Sequence, residues 1–316
     1  MINLNSTDED LKKYVMHFLE LKSLFVIVMN IAYVIIGLPV ICLAICGLYR
    51  LVRSDIVVPI YIINLLFADL LQIIVRPTMF VILIVVEESY NLWDIMDLIF
   101  SFGLCSSLGF MVCIALERYL IVAHPLWYRY HRSVRHTTLF SAGVWVLALI
   151  FTVIKSLDYL LFIFDEADTL FAILFFLPFP LLLFFFVGTW RAIAGATSVR
   201  AKEKRRILYT LAFVLGTYTV VFLPYCLVIL IISSESNLIN INIDYILYSY
   251  IVTSEIICLS ALVDPVLYIF IRPDVRHALG SFPCCQRLFT LTNCWTPRAE
   301  QETEDEPDVS STVTRV

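Results

Sequence analysis

Charge is what this sequence has least of. Asp, Glu, Lys and Arg make up 16% of its 316 residues, against 60% hydrophobic residues and a mean hydropathy of +0.88. A soluble domain is roughly a quarter charged, so water is excluded as the solvent for most of this chain and lipid takes its place. No basic stripe runs longer than one loop, which excludes nucleic acid as a partner. Histidine is missing from every long apolar run, which removes the usual ligands of a zinc hydrolase. Cysteine is present nine times but badly placed for a disulfide framework. Cys42, Cys46, Cys105, Cys113, Cys226 and Cys258 lie inside apolar runs, and Cys284, Cys285 and Cys294 follow the last of them. We therefore expect no extracellular disulfide. A cleavable signal peptide is also missing: residues 1–22 are polar and acidic, so the first hydrophobic helix is expected to target the chain.

What is there is a series of seven apolar stretches, over about 23–49, 57–86, 95–123, 138–163, 170–198, 206–233 and 244–271. Each is long enough to span a bilayer as a helix, which takes about 20 residues. The spacing predicts an all-α membrane protein, a seven-helix bundle over 23–271 with no room for a separate soluble domain. Pro39, Pro77, Pro178, Pro180, Pro224 and Pro265 fall inside the runs, where membrane helices tolerate them. Loop charge sets the orientation. The odd loops carry Arg50 and Arg53, then Arg129, Arg132 and Arg135, then Arg200, Lys202, Lys204, Arg205 and Arg206. The even loops carry acids and no Lys or Arg, so the amino terminus lies outside and the carboxyl end inside. Asn5-Ser6-Thr7 is an N-glycosylation acceptor on the outer side.

Residues 272–285 read as a short amphipathic helix on the inner membrane surface, with Cys284 and Cys285 placed for palmitoylation. Residues 286–316 read as a disordered cytoplasmic tail, ending in Thr314-Arg315-Val316, a pattern that suits a PDZ-domain groove.

Ionisable groups at membrane depth are functional candidates by default. Asp69 lies midway along the second run and Asp264 in the inner half of the seventh, with Ser107 and Ser260 at depths that face them. Converging carboxylate and hydroxyl oxygens suit a hard cation or a shared proton; a plain hydrogen-bonded polar core is the alternative. Lys155 is close enough along the fourth run to pair with Asp158, or else to hold an acidic ligand. Glu255 is expected to face the outer cavity. The third run closes on Glu117-Arg118-Tyr119, an acid beside a base at a helix end, before His124-Pro125 breaks it. An Arg there is either a headgroup-seeking anchor or a group kept oriented by its neighbouring acid until something competes for it.

Taken in order, Asn64-Leu65 with Ala68-Asp69, Glu117-Arg118-Tyr119, Trp145, Phe222-Leu223-Pro224-Tyr225 and Asp264-Pro265 with Tyr268 resemble the rhodopsin-like (class A) G-protein-coupled receptors. The likeness covers about residues 23 to 285. By that resemblance Arg118 is the G-protein switch, with Glu117, Tyr119 and Tyr268. Asp69, Ser107, Ser260 and Asp264 form a sodium pocket, and Phe222, Pro224 and Pro265 are hinges. The ligand pocket falls on Asp97, Phe100, Leu104, Lys155, Tyr225, Ile229, Tyr250 and Ser254. Partners implied are a heterotrimeric G protein, arrestin on the phosphorylated tail, and membrane lipid, at the plasma membrane.

The sequence also departs from that pattern. Ile41 stands where the first-helix Asn would fall, Phe222 replaces the tryptophan before Pro224, and Lys204 replaces an acid that would clamp Arg118. Phe186 or Gly188 stands where the fifth helix would carry a tyrosine, and Trp93 where the third would carry its bridging cysteine. Features shared with the Mas-related group, around Trp127–Arg132, and with nucleotide-, lipid- and proton-sensing receptors leave the subgroup open.

Phe100 stands where aminergic receptors carry an acid, and His17 is the one outer imidazole, so neither an amine nor a proton is the favoured ligand. An apolar pocket with a few hydroxyls favours a lipid, a hydrophobic small molecule or a peptide. The rival readings are a receptor-like scaffold that does not signal, an intramembrane aspartyl protease using Asp69 and Asp264, and a transporter. The contexts Ala68-Asp69 and Val263-Asp264 do not match such a protease, and no inverted repeat marks a transporter.

Overall fold

The structure is a computed structural model. It describes residues 4–53, 60–85, 90–131, 133–161, 167–195, 201–233 and 243–271, with only the backbone described toward several helix ends. Eleven α-helices follow one another: α1 (Leu4–Arg53), α2 (Ile60–Val85), α3 (Tyr90–Ala123), α4 (Pro125–His131), α5 (Val134–Leu161), α6 (Ala167–Phe176), α7 (Pro178–Gly195), α8 (Ala201–Thr217), α9 (Leu223–Ser233), α10 (Ile243–Cys258) and α11 (Ser260–Ile271). A π-helix, Tyr218–Phe222, joins α8 to α9.

Among the described residues seven helical spans are long and apolar enough to cross a membrane: 24–47, 60–82, 92–123, 134–157, 172–194, 207–232 and 248–266. They coincide with the seven runs of the sequence, and the chain is an all-α membrane bundle. The fifth span crosses the α6–α7 junction, the sixth runs through the π-helix, and the seventh crosses from α10 to α11. Helix α1 begins at Leu4, so the polar amino-terminal stretch continues into the first span as one helix.

Helix α3 is the axis of the bundle. It packs on α2, α5, α7 and α8, and 61% of the most apolar 18-residue stretch of its span is buried, against 11% for α5 at the periphery. The outward faces are apolar too: Ile31, Ile35, Phe140, Leu147, Phe184 and Val220 are all exposed, as lipid contact requires. Because lipid is as apolar as leucine, helix association here rests on close packing and polar contacts rather than on burying hydrophobic area. Two glycines show the packing. A Cβ on Gly37 would lie 2.7 Å from Leu262 Cδ2, and one on Gly109 would lie 2.6 Å from Val144 Cγ1. Where those glycines sit, α1 meets α11 and α3 meets α5 at nearly backbone distance.

Proline does three different things. Pro39, Pro77 and Pro265 lie within continuous α-helix. Pro178 starts α7, and with Pro180 it removes two N–H donors just after the break at Leu177. Pro224 follows the π-helix directly, where the extra residue per turn accommodates a missing donor. The seventh span is interrupted at Leu259, six residues before Pro265, a break the proline does not explain.

Candidate functional site

Three groups of polar side chains lie along the bundle axis, and each is set by which helices meet there. At the end taken as cytosolic, α3 closes on Glu117, Arg118 and Tyr119, all partly buried. Pro125 then opens α4, a short helix whose Tyr128 folds back. Its hydroxyl donates to Glu117 Oε1 at 2.7 Å, so the carboxylate is held from the loop. Arg118 Nε is shielded from solvent at the same end. Tyr119 turns the other way, its ring 5.6 Å from Phe185, 5.7 Å from Phe184 and 5.9 Å from His124. Tyr268 is in α11, but its side chain lies outside the described residues, as do those of Lys204 and Asp158.

Halfway along the axis, Asp69, Ser107 and Ser260 are completely buried and Asp264 is nearly so. Ser107 Oγ donates to Asp264 Oδ2 at 3.2 Å, joining the third and seventh spans. Among the described residues neither carboxylate oxygen of Asp69, both buried, has a donor in hydrogen-bond geometry, although the Ser107 hydroxyl lies close by. Ser260 does not join this cluster by its hydroxyl, which donates to Ile257 O at 2.9 Å across the break in the seventh span. Beside the cluster, Trp145 Nε1 donates to Asn64 Oδ1 at 2.9 Å, so two of the sequence motifs meet directly.

On the sixth span, Phe222 is fully buried and stacks on Tyr218, ring centroids 5.5 Å apart with planes 6° apart. Tyr218 in turn donates its hydroxyl to the carbonyl of Phe175. The pivot of this span therefore involves an irregular turn of backbone before Pro224, which nothing in the sequence announced.

The outer third departs most from expectation. Lys155 Nζ donates to Asp97 Oδ2 at 2.5 Å and to Ser101 Oγ at 2.9 Å, while the expected partner Asp158 has its side chain outside the described residues. A carboxylate on α3 reaches this lysine because α3 and α5 pack side by side. Asp97 and Lys155, both expected to face a ligand, are thus joined to each other. Glu255, expected to face the outer cavity, also has a partner. It is 4% exposed and ion-paired with Arg76 of α2. Sequence reading passed over Arg76, although an arginine in Val75-Arg76-Pro77, within a spanning run, is the signal that should have marked it.

The remaining expected pocket residues lie on α3, α9 and α10. Phe100, Leu104 and Ile229 are buried, and the rings of Tyr225 and Tyr250 lie 6.2 Å apart. The Arg76 guanidinium sits 5.8 Å from the centre of the Phe100 ring. Ser254 donates to Ile251 O at 2.8 Å within its own helix. Cys42, Cys46, Cys105, Cys113, Cys226 and Cys258 are all free thiols. The side chain of Asn5, the whole of 272–285 with Cys284 and Cys285, and the tail with Thr314–Val316 lie outside the described residues.

Comparison with known proteins agrees with this architecture. The profile of the 7 transmembrane receptor (rhodopsin family) matches residues 39–162. The chain is 24% identical to G-protein coupled receptor 68 of Bos taurus, over 89% of this chain and 86% of that protein. It is 26% identical to G-protein coupled receptor 182 of Homo sapiens, over 82% of this chain and 69% of that protein. Proteinase-activated receptor 1 of Xenopus laevis is 23% identical over 80% of this chain and 65% of its own length. Seven spans about a central third helix, with these matches, define a multi-pass receptor of the plasma membrane rather than an enzyme. These matches support a rhodopsin-like, class A G-protein-coupled receptor, the family the chain is similar to.

Proposed function

We propose that the chain transmits an extracellular ligand, a lipid or a hydrophobic small molecule or peptide, to a heterotrimeric G protein through outward movement of the sixth span. The observation that carries this reading is the arrangement at the end of α3. Tyr128 holds the Glu117 carboxylate from outside the helix, while Arg118 remains partly buried at the mouth of the bundle. A guanidinium so placed is ready to meet carbonyl or carboxylate groups of a docked G-protein helix once the sixth span clears the mouth. Population shift requires the ligand to favour that open state by several kcal/mol for a near-complete switch. The buried, mainly apolar set of Phe100, Leu104, Ile229, Tyr225 and Tyr250 supports an apolar ligand body. Sodium fits the centre of the bundle: Asp69 brings two buried, undonated oxygens close to the Ser107–Asp264 pair, a hard-oxygen donor set. Arrestin and PDZ binding would use the tail, and palmitoylation Cys284 and Cys285.

The test is a G-protein activation panel in cells expressing equal surface amounts of the wild type and Arg118→Ala. We expect basal activation in at least one G-protein class, lost in R118A. Equal activity of the two proteins, or silence in every class from a surface-expressed wild type, would point to a receptor-like scaffold.

A further inference from the structure

The Arg76–Glu255 pair has neighbours that a structural ion pair does not need. Arg76 and Gln72 are one helical turn apart on α2, and Gln72 lies three residues beyond Asp69, so the three share a face. Opposite them are Tyr33 of α1, Phe100 of α3 and Glu255 of α10. Tyr33 is 3% exposed and Gln72 not at all. Yet Tyr33 Oη, Gln72 Oε1 and Arg76 Nε are each buried without a hydrogen-bond partner among the described residues. Three undonated or unaccepted polar atoms in one buried cluster is a costly arrangement in a bundle, because each has given up its hydrogen bonds to water without replacing them. The unmet requirements also have a chemistry. A guanidinium N–H asks for an anionic oxygen, and an amide carbonyl asks for an N–H or O–H donor.

Their position is right for a ligand. Arg76 is six residues from Ile82 at the outer end of its span, about 9 Å by helical rise. It lies over Phe100, which links it to the apolar pocket residues.

We infer that Arg76 is the anchor for the acidic group of a small ligand, a carboxylate or phosphate with an N–H or O–H donor beside it, and that Glu255 occupies the anchor until such a group displaces it. The acid engages Arg76, Nε included; the adjacent donor meets Gln72 Oε1, with Tyr33 Oη completing the ring. Because Glu255 is the competitor, ligand entry also frees a side chain of α10, in the seventh span, from α2. This deepens the receptor reading and rests on it, but it concerns occupancy alone. A binding assay without G protein therefore fails or succeeds separately from the Arg118 experiment.

The assay is thermal unfolding of the full-length receptor in lipid nanodiscs with three probes: N-octanoylglycine, its primary amide, and 1-octanoylglycerol 3-phosphate. We expect one or both acids to raise the melting temperature and the amide to have no effect. The two acids separate a carboxylate ligand from a phosphate one. Glu255→Gln, which removes the competing charge, should tighten binding of the effective acid on the order of tenfold, the scale of one charged contact. The neutral pair R76Q/E255Q, which leaves no uncompensated buried charge, should abolish the shift. Stabilisation by the amide equal to that by the acid would overturn the assignment. So would a shift that survives in R76Q/E255Q, or an absence of shift with both acids in the wild type. Should the double variant fail to fold, E255Q decides alone: unchanged or weaker acid binding there removes Glu255 as the competitor.

Discussion

The ring of Tyr119 fills the space where a side chain on Gly188 would begin: a Cβ built there would lie 2.6 Å from Tyr119 Cε2 and 3.2 Å from Cδ2. The ring cannot simply step aside, because Phe184, Phe185 and His124 border it. Gly188, one of two positions where relatives would carry a fifth-helix tyrosine, is thus the residue that lets α3 and α7 close on each other. Gly188→Ala should destabilise the receptor by about 1–3 kcal/mol, the usual cost of overpacking. In a Tyr119→Ala background the same alanine should cost little. A thermal-melt cycle over the four proteins measures this, and equal losses in both backgrounds would show that the contact carries no energy.

A second contact ties the sixth span to the fifth. Tyr218 sits in the π-helix before Pro224, stacked between Phe222 and Phe179, with its hydroxyl on the carbonyl of Phe175. Pro178 and Pro180 cannot donate to the carbonyls of Leu174 and Phe176, and the hydroxyl meets the carbonyl between those two. Tyr218→Phe keeps both ring contacts and removes only the hydrogen bond, worth about 1 kcal/mol net. If that bond restrains the sixth span, basal G-protein activation per surface receptor should rise severalfold in Y218F while ligand binding is little changed. Unchanged basal activity alongside a lowered melting temperature would make the contact merely structural.

Much of this was legible in the sequence, and the reason is the solvent. Lipid demands about 20 apolar residues per span and a satisfied backbone, so the seven helices show as seven runs, and acids such as Asp69 and Asp264 show as interruptions. What could not be read are pairings set by helix packing. Lys155 has a carboxylate three residues away at Asp158, but the described partner is Asp97, 58 positions distant on another helix. Arg76 and Glu255 are 179 positions apart. Local spacing favours the near partner; only the register of two packed helices shows the far one. The π-helix is invisible for a similar reason. Its sequence, Tyr218-Thr-Val-Val-Phe222, is ordinary, and the irregular turn is settled by Pro224 and by the rings around it.

The centre of the bundle yields a prediction that separates an ion site from an inert polar core. Asp69 presents two buried oxygens with no donor, beside a Ser107 hydroxyl already committed to Asp264. An isolated buried carboxylate is costly, and either a bound cation or a proton relieves it. A cation that binds only the folded receptor stabilises it by about 1.4 kcal/mol at a free concentration tenfold above its dissociation constant. Replacing choline chloride with sodium chloride at constant ionic strength should therefore raise the melting temperature of the wild type, and potassium should do so less. Asp69→Asn removes the anionic oxygen while keeping the shape, so it should raise the baseline in choline and erase the sodium increment. Thermal melts of the two proteins in the three salts suffice. A sodium increment that persists in D69N, or a potassium effect of equal size, would place the stabilisation elsewhere and leave a shared proton between Asp69 and Asp264 as the account of these two acids.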